Sequence, residues 1–305
     1  MGETRTAFVL SGGGSLGAVQ VGMLQALTEA GITADLVIGA SVGALNGAVF
    51  AEQPDRAGVE RLAGMWRAIR RQDVFPFSLA SGALALVRRH DHLIEAHALR
   101  RLITRSLRIR RIEETRIPLH VAATDVLSGR EVLLSSGDAP TALMASTAIP
   151  VIFPHVELDG HYLVDGAVGA NTPIAGAVAR GATRILVLPT GMSCAMEAPP
   201  RNMAALALHV LGLQSMGQLD RDVARFAAQI PITIVPPLCP VRISMFDFSQ
   251  TAALIERSAQ QTTKWLASGG LETTGPLHVP LAHHDHAHPR HGSRTTEGSR
   301  PLSAP

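Results

Sequence analysis

Short runs of apolar residues alternate along the chain with glycine-rich turns and with helical spacings of apolar positions. Residues 7–10 form the first run, ahead of a glycine cluster and a helix predicted over about residues 16–30. Residues 36–39 form the second run, which ends at Ser41 ahead of a helix predicted to reach Ala51. Two strand–turn–helix units in about fifty residues predict parallel pairing. The expected fold class is therefore α/β, a three-layer α/β/α domain with a mostly parallel central sheet.

Further elements follow the same logic towards the C-terminus. Residues 54–116 are predicted to be mostly helical, and a strand pair is predicted to turn at Ser128-Gly129. Beyond it the pattern predicts a strand ending at Asp165, a helix and another strand, then a strand over 232–235 and a closing helix over 251–268. We expect one domain over residues 6–275. Residues 276–305, rich in His, Pro, Ser and Arg, are expected to form a disordered tail with only adventitious metal affinity.

Composition narrows the class of partner and the compartment. The net charge of +2 is too small to indicate nucleic-acid binding, and no apolar run reaches the roughly 20 residues of a membrane helix. The two cysteines, Cys194 and Cys239, predict reduced thiols, and neither a metal site nor a cofactor is expected from the pattern. No leader peptide is recognisable before the first strand, so a cytoplasmic location is expected. The oligomeric state is not predicted.

A nucleophilic serine is indicated by the pentapeptide that follows the second strand. Gly39-Ala40-Ser41-Val42-Gly43 matches G-x-S-x-G between a strand and a helix, the setting of a nucleophile elbow. Such a turn strains the serine backbone, and Gly39 and Gly43 remove the side chains that would clash with it. The alternative is a Ser-Gly turn that only caps a helix.

The first glycine cluster has two interpretations. Gly12, Gly14 and Gly17 satisfy the dinucleotide fingerprint G-x-G-x-x-G. A dinucleotide site needs an acidic residue at the end of the second strand, where this chain has Ser41. Neighbouring parallel strands lie about 5 Å apart, which predicts that the amides of residues 13–15 lie beside that serine. Backbone amides at that place would stabilise an oxyanion, and we favour this interpretation.

A general base for the serine is harder to identify. The histidines after the elbow (His120, His155, His161 and His209) occur in no recognisable loop with a nearby acid. Asp165 ends a predicted strand and precedes Gly166 and a helix, at the edge of the sheet where Ser41 is expected. Its alternative role is an Asx turn that caps the next helix.

Three ordered motifs resemble the patatin-like phospholipase family and its bacterial acyl hydrolases. They are the glycine loop at residues 12–17, the elbow at residues 39–43, and the box Asp165-Gly166-Ala167. Two connecting stretches, at 118–129 and 144–173, are also similar, so the resemblance spans about residues 6–200. It implies a Ser–Asp dyad, without a catalytic histidine, that acts on fatty acyl esters or phospholipids.

Carried over to this chain, the resemblance makes Ser41 the nucleophile and Asp165 the base. The oxyanion hole would be formed by Gly12, Gly13, Gly14, Ser15 and Gly17 of the glycine loop, with the amides of Gly13, Gly14 and Ser15 as its donors. Leu16 stands where many family members have Arg or Lys, so we expect no contribution from a charged side chain at this position of the loop.

Other interpretations remain open at this point. The glycine loop of residues 12–17 would suit a dinucleotide-binding module, and the same fold would suit a catalytically silent scaffold. Apolar stretches at 75–89 and 203–219 would provide walls or a lid for an acyl groove, or simply belong to the core. The basic run at 100–111 favours a solvated helix face over a surface that lies on anionic lipid. Peripheral membrane contact is thus left open, and the substrate head group is not predicted.

Overall fold

The computed structural model describes residues 4–76, 92–191, 203–239, 241 and 243–272 of the chain. The predicted tail at 276–305, Cys194 and nearly all of the predicted groove stretch at 75–89 lie outside the described residues. Side chains at residues 203–205, 207, 208 and 211 are also outside the description.

A central sheet of eight strands forms the middle layer of the described structure. The strands, β1 to β8 in chain order, span Thr6–Leu10, Leu36–Ala40, Leu119–Asp125, Glu131–Leu134, Val156–Leu158, His161–Asp165, Arg184–Leu188 and Ile232–Ile234. The pairing order is β5-β6-β3-β2-β1-β7-β8, and β4 pairs with β3 in addition. Strands β3, β2, β1, β7 and β8 are parallel, whereas β4, β5 and β6 pair antiparallel. The predicted mostly parallel sheet is confirmed.

Helices cover both faces of the sheet. The described α-helices, α1 to α10, span Gly17–Glu29, Val42–Glu52, Arg56–Ala68, Arg71–Val74, His97–Ser106, Ala139–Ser146, Gly166–Ala170, Ile174–Ala179, Met203–Phe226 and Thr251–Ala267. Short 3-10 turns occur at Gly14–Leu16 and Ile112–Glu114. None of the described helices combines the length and apolarity needed to cross a bilayer.

Alternating residues of the buried strands face two separate cores. Phe8 and Leu10 of β1 belong to the larger core, which includes α1, α2, α3, α5, α6 and α10. Ala7 and Val9 belong to the smaller core, which α8 and α9 complete. Because β1 is buried on both faces, its residues 7–10 are all apolar without polar alternation, as expected for a central parallel strand. These two cores give the three-layer α/β/α architecture.

Helix α5 shows which interpretation of the basic run is right. Leu99, Leu102 and Ile103 are buried in the larger core, while Arg100, Arg101 and Arg105 are exposed. The apolar side of this helix is therefore committed to the protein interior, and its arginines form the solvated face that the sequence favoured.

Two elements and one cysteine depart from the sequence expectations. Strand β5 and helix α6 were not predicted. The predicted turn at Ser128-Gly129 between β3 and β4 is confirmed, and in it the Gly129 amide donates to the Asp125 carbonyl at 2.8 Å. Cys239 is disulfide-bonded, so the expectation of a reduced thiol is wrong for this residue. The cytoplasmic location loses the support that reduced thiols would have given it and stays a prediction.

Helix α10 packs against α1 so closely that a glycine is required at the contact. A Cβ at Gly22 would lie 2.3 Å from the Ile255 carbonyl oxygen and 2.6 Å from the Ala259 nitrogen. Ser258 secures the same contact, since its hydroxyl donates to the Val19 carbonyl at 2.8 Å. Helix α10 is thus held to α1 by backbone proximity as well as by apolar burial.

Two glycine-to-alanine variants test this contact. Gly64→Ala, in α3, has nothing within 4 Å of the new methyl group, so it should stabilise the protein by about 0.5–1 kcal/mol through helix propensity. Gly22→Ala should instead destabilise it by about 1–3 kcal/mol, because the methyl group must push two helix backbones apart. Urea unfolding measures both values. Stabilisation by Gly22→Ala would contradict the close packing of α1 and α10.

Candidate active site

Ser41 occupies a strained turn between β2 and α2. Its backbone has φ 55 and ψ −127, a positive φ that a residue with a side chain rarely adopts. A Cβ at Gly39 would lie 2.5 Å from the carbonyl of Gly43, and one at Gly43 would lie 2.3 Å from the Leu10 carbonyl oxygen. Both glycines of the elbow motif are therefore required by backbone contacts.

The register of β3 brings Ser41 and Asp165 together. Strand β2 pairs with β3 as far as Ala40 opposite Ala122, and β6 begins its pairing one residue further, with Asp165 opposite Ala123. The ends of a parallel and an antiparallel strand thus meet at consecutive residues of β3. As a result the Ser41 hydroxyl donates a 2.7 Å hydrogen bond to Asp165 Oδ2. Ser41 and Asp165 therefore lie close together, as predicted, although β6 runs antiparallel to β3.

The two carboxylate oxygens of Asp165 have separate partners. Oδ2 accepts from Ser41, whereas Oδ1 accepts from the Ala167 amide at 2.8 Å and so caps α7. The Asx-turn interpretation of the Asp-Gly-Ala box is therefore also correct. Gly166 is needed here because its Cβ would lie 2.3 Å from the Ala122 carbonyl oxygen. Burial raises the pKa of Asp165 to about 6, while the hydrogen bonds from Ser41 and Ala167 lower it.

Ser146 fixes the backbone of Ser41, a role for which the sequence carried no signal. Its hydroxyl oxygen accepts the Ser41 amide at 2.9 Å and donates to the Ala122 carbonyl at 2.6 Å. The side chain is fully buried at the end of α6. Thr124 acts similarly on the other partner, since its hydroxyl donates to the Asp165 carbonyl at 2.9 Å. Ser146 lies within the stretch that resembles the family, but no local pattern assigns it a partner.

The glycine loop lies directly over Ser41. A Cβ at Gly12 would be 3.1 Å from the Ser41 Cβ. The amide of Gly12 is engaged with the Asn171 carbonyl at 3.2 Å, and the amide of Ser15 with the Met245 carbonyl at 2.9 Å. These bonds correct the expectation for Gly12 and Ser15, whose amides cannot serve an oxyanion while they are bonded to Asn171 and Met245. The amides of Gly13 and Gly14 have no acceptor among the described residues, so the loop offers these two donors.

The remaining residues of the loop have structural positions. Leu16 is buried in the larger core, so its side chain points away from the site. A Cβ at Gly17 would lie 2.5 Å from Val42 Cγ2, which shows that this glycine lets α1 approach α2. At Gly14 the Met245 carbonyl oxygen lies 2.6 Å from the Cβ position. A pyrophosphate would need that close approach to the second glycine of the fingerprint, which argues against a dinucleotide in this loop.

A buried polar chain supports the loop from below. The Trp66 indole donates to Asn46 Oδ1 at 2.8 Å, and Asn46 Nδ2 donates to Gln20 Oε1 at 2.8 Å. Gln20 Nε2 in turn donates to the carbonyls of Ser11 and Leu188, at 2.8 and 2.9 Å. All three side chains are nearly inaccessible to solvent. The chain connects α3, α2 and α1 to the ends of β1 and β7, where the glycine loop starts.

The four histidines considered from the sequence are not partners of this site. In the described part of the chain, no histidine hydrogen-bonds to Ser41 or Asp165. His120 contacts the Ser135 hydroxyl at 2.7 Å, and burial lowers its pKa to about 4. His155 and His161 lie near Glu157 and Asp125, respectively, and His209 is on α9. Nor do the described residues contain a cluster of three side chains able to hold a metal ion.

Comparison with protein families supplies the identification. A family model described as patatin-like phospholipase matches residues 8–178. The chain belongs to the patatin-like phospholipase family. The match contains all three motifs, including the glycine loop, the elbow of Ser41 and the box of Asp165.

The individual relatives of this patatin-like chain share low sequence identity with it. It is 29% identical over 187 residues to patatin-like phospholipase domain-containing protein 7 of Rattus norvegicus, covering 61% of this chain and 13% of that protein. It is 32% identical over 193 residues to lysophospholipase NTE1 of Cryptococcus neoformans, covering 60% and 11%. An uncharacterized NTE family protein of Mycobacterium bovis is 32% identical over 173 residues, covering 56% and 45%. The chain thus spans a small part of the first two relatives and less than half of the third.

Solved structures share the fold at low identity. Human GIVD cytosolic phospholipase A2 superposes with a TM-score of 0.51 at 11% identity, covering 89% of this chain and 62% of that chain. The patatin-like domain of this protein therefore has the same general fold as that phospholipase.

The raised pKa of Asp165 predicts a pH-dependent gain in stability on its replacement. Folding favours protonation of this group, because its pKa rises from an ordinary 3.8 to about 6. Ionisation of this carboxylate therefore does not lower the free energy of unfolding below pH 3.8. Between pH 3.8 and pH 6 the loss of stability grows, and above pH 6 it reaches its full value of up to about 3 kcal/mol. We expect Asp165→Asn to raise the free energy of unfolding above pH 6 and to make little difference in acid.

Asp125, at the end of β3, is the matched control. Its pKa is lowered, chiefly by the hydrogen bond from the Ser128 hydroxyl, so its ionised form stabilises the fold. Asp125→Asn should thus lower stability under the neutral conditions where Asp165→Asn raises it. Denaturant unfolding over a pH series measures both, and a loss of stability in Asp165→Asn at neutral pH would contradict a destabilising buried carboxylate.

Proposed function

We propose that this protein is a serine lipid acyl hydrolase, a carboxylic ester hydrolase of the phospholipase, lysophospholipase or esterase type. The observation that carries the proposal is the 2.7 Å hydrogen bond from the strained Ser41 hydroxyl to a buried carboxylate of raised pKa. A base is most effective when its pKa lies near the working pH, and about 6 suits catalysis near neutrality better than 3.8. Family membership supports the same chemistry.

The proposed reaction proceeds through an acyl-enzyme. Ser41 Oγ attacks the ester carbonyl carbon while its proton moves to Asp165 Oδ2, giving a tetrahedral oxyanion. Collapse of this intermediate breaks the bond to the alcohol, which takes the proton from Asp165. Water then attacks the acyl-serine, loses a proton to Asp165, and the fatty acid leaves as that proton returns to Ser41. Each residue ends the cycle in its initial state.

Main-chain amides would stabilise the oxyanion. Gly13 and Gly14 supply two donors, since their amides lack acceptors among the described residues, whereas Ser15 is engaged with Met245. The amide of Val42 is a third candidate, because the first amides of α2 have no intrahelical acceptor. The positive end of the α2 dipole lies at the same place. Removing one such donor costs about 3 kcal/mol of barrier in comparable enzymes.

A lipid substrate is favoured by relatives and by the surface around the site. One relative is named a lysophospholipase, which suggests a fatty acyl ester for this chain. Several large apolar side chains are exposed on elements that extend from the Ser41 edge of the sheet. We name this set the apolar rim; it consists of Val126, Leu127, Val168, Leu206, Val210 and Leu213.

The position of the apolar rim follows from the fold. Val126 and Leu127 continue β3 beyond the residues that pair with Asp165, and Val168 lies on α7, three residues after it. Gln218 of α9 donates to the Gly169 carbonyl at 2.8 Å, so the preceding turns of α9 extend past this end of the sheet. Leu206, Val210 and Leu213 have the spacing of one helix face. We propose that this rim contacts a lipid surface while Ser41 takes its substrate from it.

Variants of the dyad test the hydrolase proposal. Ser41→Ala should abolish labelling by a fluorophosphonate and lower ester hydrolysis by at least about 10³-fold, because the nucleophile is lost. Asp165→Asn should lower hydrolysis by at least about 10²-fold, because the general base is lost. Hydrolysis by the unaltered protein should rise with pH through a midpoint near 6, as Asp165 ionises. Labelling is followed by mass spectrometry and hydrolysis with a panel of acyl esters.

The control is Ser268→Ala, which removes an exposed hydroxyl at the end of α10 and should leave both readouts unchanged. Asp165→Asn with most of its hydrolysis retained would refute the dyad. An unaltered protein that neither hydrolyses esters nor reacts with the fluorophosphonate would be a silent scaffold. Thermal stabilisation by NAD in the same protein would instead favour the dinucleotide module.

If the apolar rim contacts lipid, substitutions in it should lower hydrolysis of lipid in vesicles but not hydrolysis of a dissolved ester. Leu127→Ser combined with Leu213→Ser removes two exposed apolar side chains and should weaken binding to phosphatidylcholine vesicles by about tenfold or more. Hydrolysis of lipid in vesicles should fall accordingly, while hydrolysis of a dissolved short-chain ester should be unchanged. Vesicle co-sedimentation and the two assays measure these effects. Equal vesicle binding by the variant would refute the role of the rim.

A further inference from the structure

A cavity lined by arginines lies at the far end of the helix that begins after Ser41. Its volume is about 690 Å³, it is open to solvent, and residues of α2, α3, the start of α4 and the end of α5 line it. Four of the lining residues are Arg61, Arg70, Arg105 and Arg108. Val49 of α2 is also in its wall, eight residues after Ser41 and thus about 12 Å further along the helix axis. The cavity is therefore separate from the candidate active site.

The acidic residues at this cavity neutralise only part of its charge. Glu52 pairs with Arg61, and Asp73 lies 3.5 Å from Arg105 across an exposed contact. Arg70 and Arg108 have no carboxylate within salt-bridge distance among the described residues. Four guanidinium groups against two carboxylates leave a surplus of about two positive charges, which a phosphomonoester matches with its −1.5 to −2 at neutral pH.

One arginine is held by several hydrogen bonds, whereas Arg105 and Arg108 each have one longer side-chain contact, to Asp73 at 3.5 Å and to Gln53 at 3.3 Å. The Arg61 guanidinium donates to the Ser106 carbonyl at 2.9 Å and to the Val49 carbonyl at 3.2 Å, besides its bond to Glu52. Its buried Nε hydrogen has no acceptor in the described structure. Arg70, Arg105 and Arg108 are exposed and can reorient towards a ligand. Arginine suits phosphate because its fork of donors binds two oxygens at once.

The remaining wall indicates a ligand larger than an inorganic ion. Val49, Met65 and Ala68 contribute apolar surface, and Gln72 contributes an amide. A volume of this size is typical of sites for small organic molecules. We propose that this cavity binds a phosphomonoester, with the phosphate held by Arg70, Arg105 and Arg108 and the organic part against the apolar wall. The inference does not depend on the proposed hydrolase function.

Two double variants with the same change in charge test the site. Arg70→Gln with Arg105→Gln removes two exposed cavity arginines. Arg67→Gln with Arg101→Gln is the control, since these arginines are exposed on α3 and α5 but do not line the cavity. Each pair also removes one exposed ion pair, Arg105–Asp73 or Arg67–Glu60, so the structural cost is matched. Equal unfolding temperatures would verify that all the proteins are folded.

Calorimetric titration with glycerol 3-phosphate, inorganic phosphate and glycerol measures binding of the soluble form. We expect glycerol 3-phosphate to bind, the cavity variant to lose at least about tenfold in affinity, and the control to stay within about twofold. Co-sedimentation with phosphatidylcholine vesicles, with and without phosphatidic acid, tests a lipid head group as the source of the phosphate. Binding confined to the phosphatidic acid vesicles, and lost in the cavity variant, would support the site with a lipid ligand.

Two results would overturn the proposal. The first is the absence of binding by glycerol 3-phosphate and by phosphatidic acid vesicles alike. The second is an equal loss of affinity in both double variants, because binding would then follow net charge and not the cavity. Either result would leave the assays of the Ser41–Asp165 dyad unaffected, so the two proposals fail independently.

Discussion

The hydrogen bond between Ser41 and Asp165 is the interaction on which the proposed chemistry depends. It requires a serine at positive φ and an aspartate whose pKa is raised by burial, and both features are unfavourable in isolation. The sheet compensates by fixing both backbones, since Ser146 holds the Ser41 amide and Thr124 holds the Asp165 carbonyl. The fold thus maintains a contact that the local chain would avoid, as is common where a residue is kept for function.

The glycine loop is held in position from two sides. The chain of Trp66, Asn46 and Gln20 fixes the strand ends from which it leaves, and the Met245 carbonyl holds it from the opposite side through Ser15. Each side-chain nitrogen and oxygen of these three residues is hydrogen-bonded, and a fully satisfied network rigidifies a core. Amides that stabilise a developing charge must be positioned before the reaction, so rigidity of this kind favours the oxyanion role over a loop that adapts to a cofactor.

Local patterns were sufficient for the parts of the fold that depend on local chemistry. Apolar runs predicted β1, β2 and β3, and the spacing of Gly39 and Gly43 predicted the strained turn, because steric exclusion acts over a few residues. The meeting of Ser41 with Asp165 was predicted for an incomplete reason, since strand direction depends on pairing partners and β6 proved antiparallel. The engagement of Ser15 by Met245 and the role of Ser146 arise from residues distant in sequence, and a single sequence carries no record of such pairs.

The two ends of α2 show how one helix supports opposite electrostatic demands. Its first amides lie beside Ser41, where the positive end of the helix dipole favours negative charge. Its last turn exposes carbonyls, and cations are favourable there; Arg61 donates to the Val49 carbonyl and pairs with Glu52 at this end. The arginines of the cavity therefore lie where the helix itself attracts positive charge. Their number exceeds what the dipole and the two carboxylates neutralise, and this excess is the physical reason to expect an anionic ligand at the end of α2 remote from Ser41.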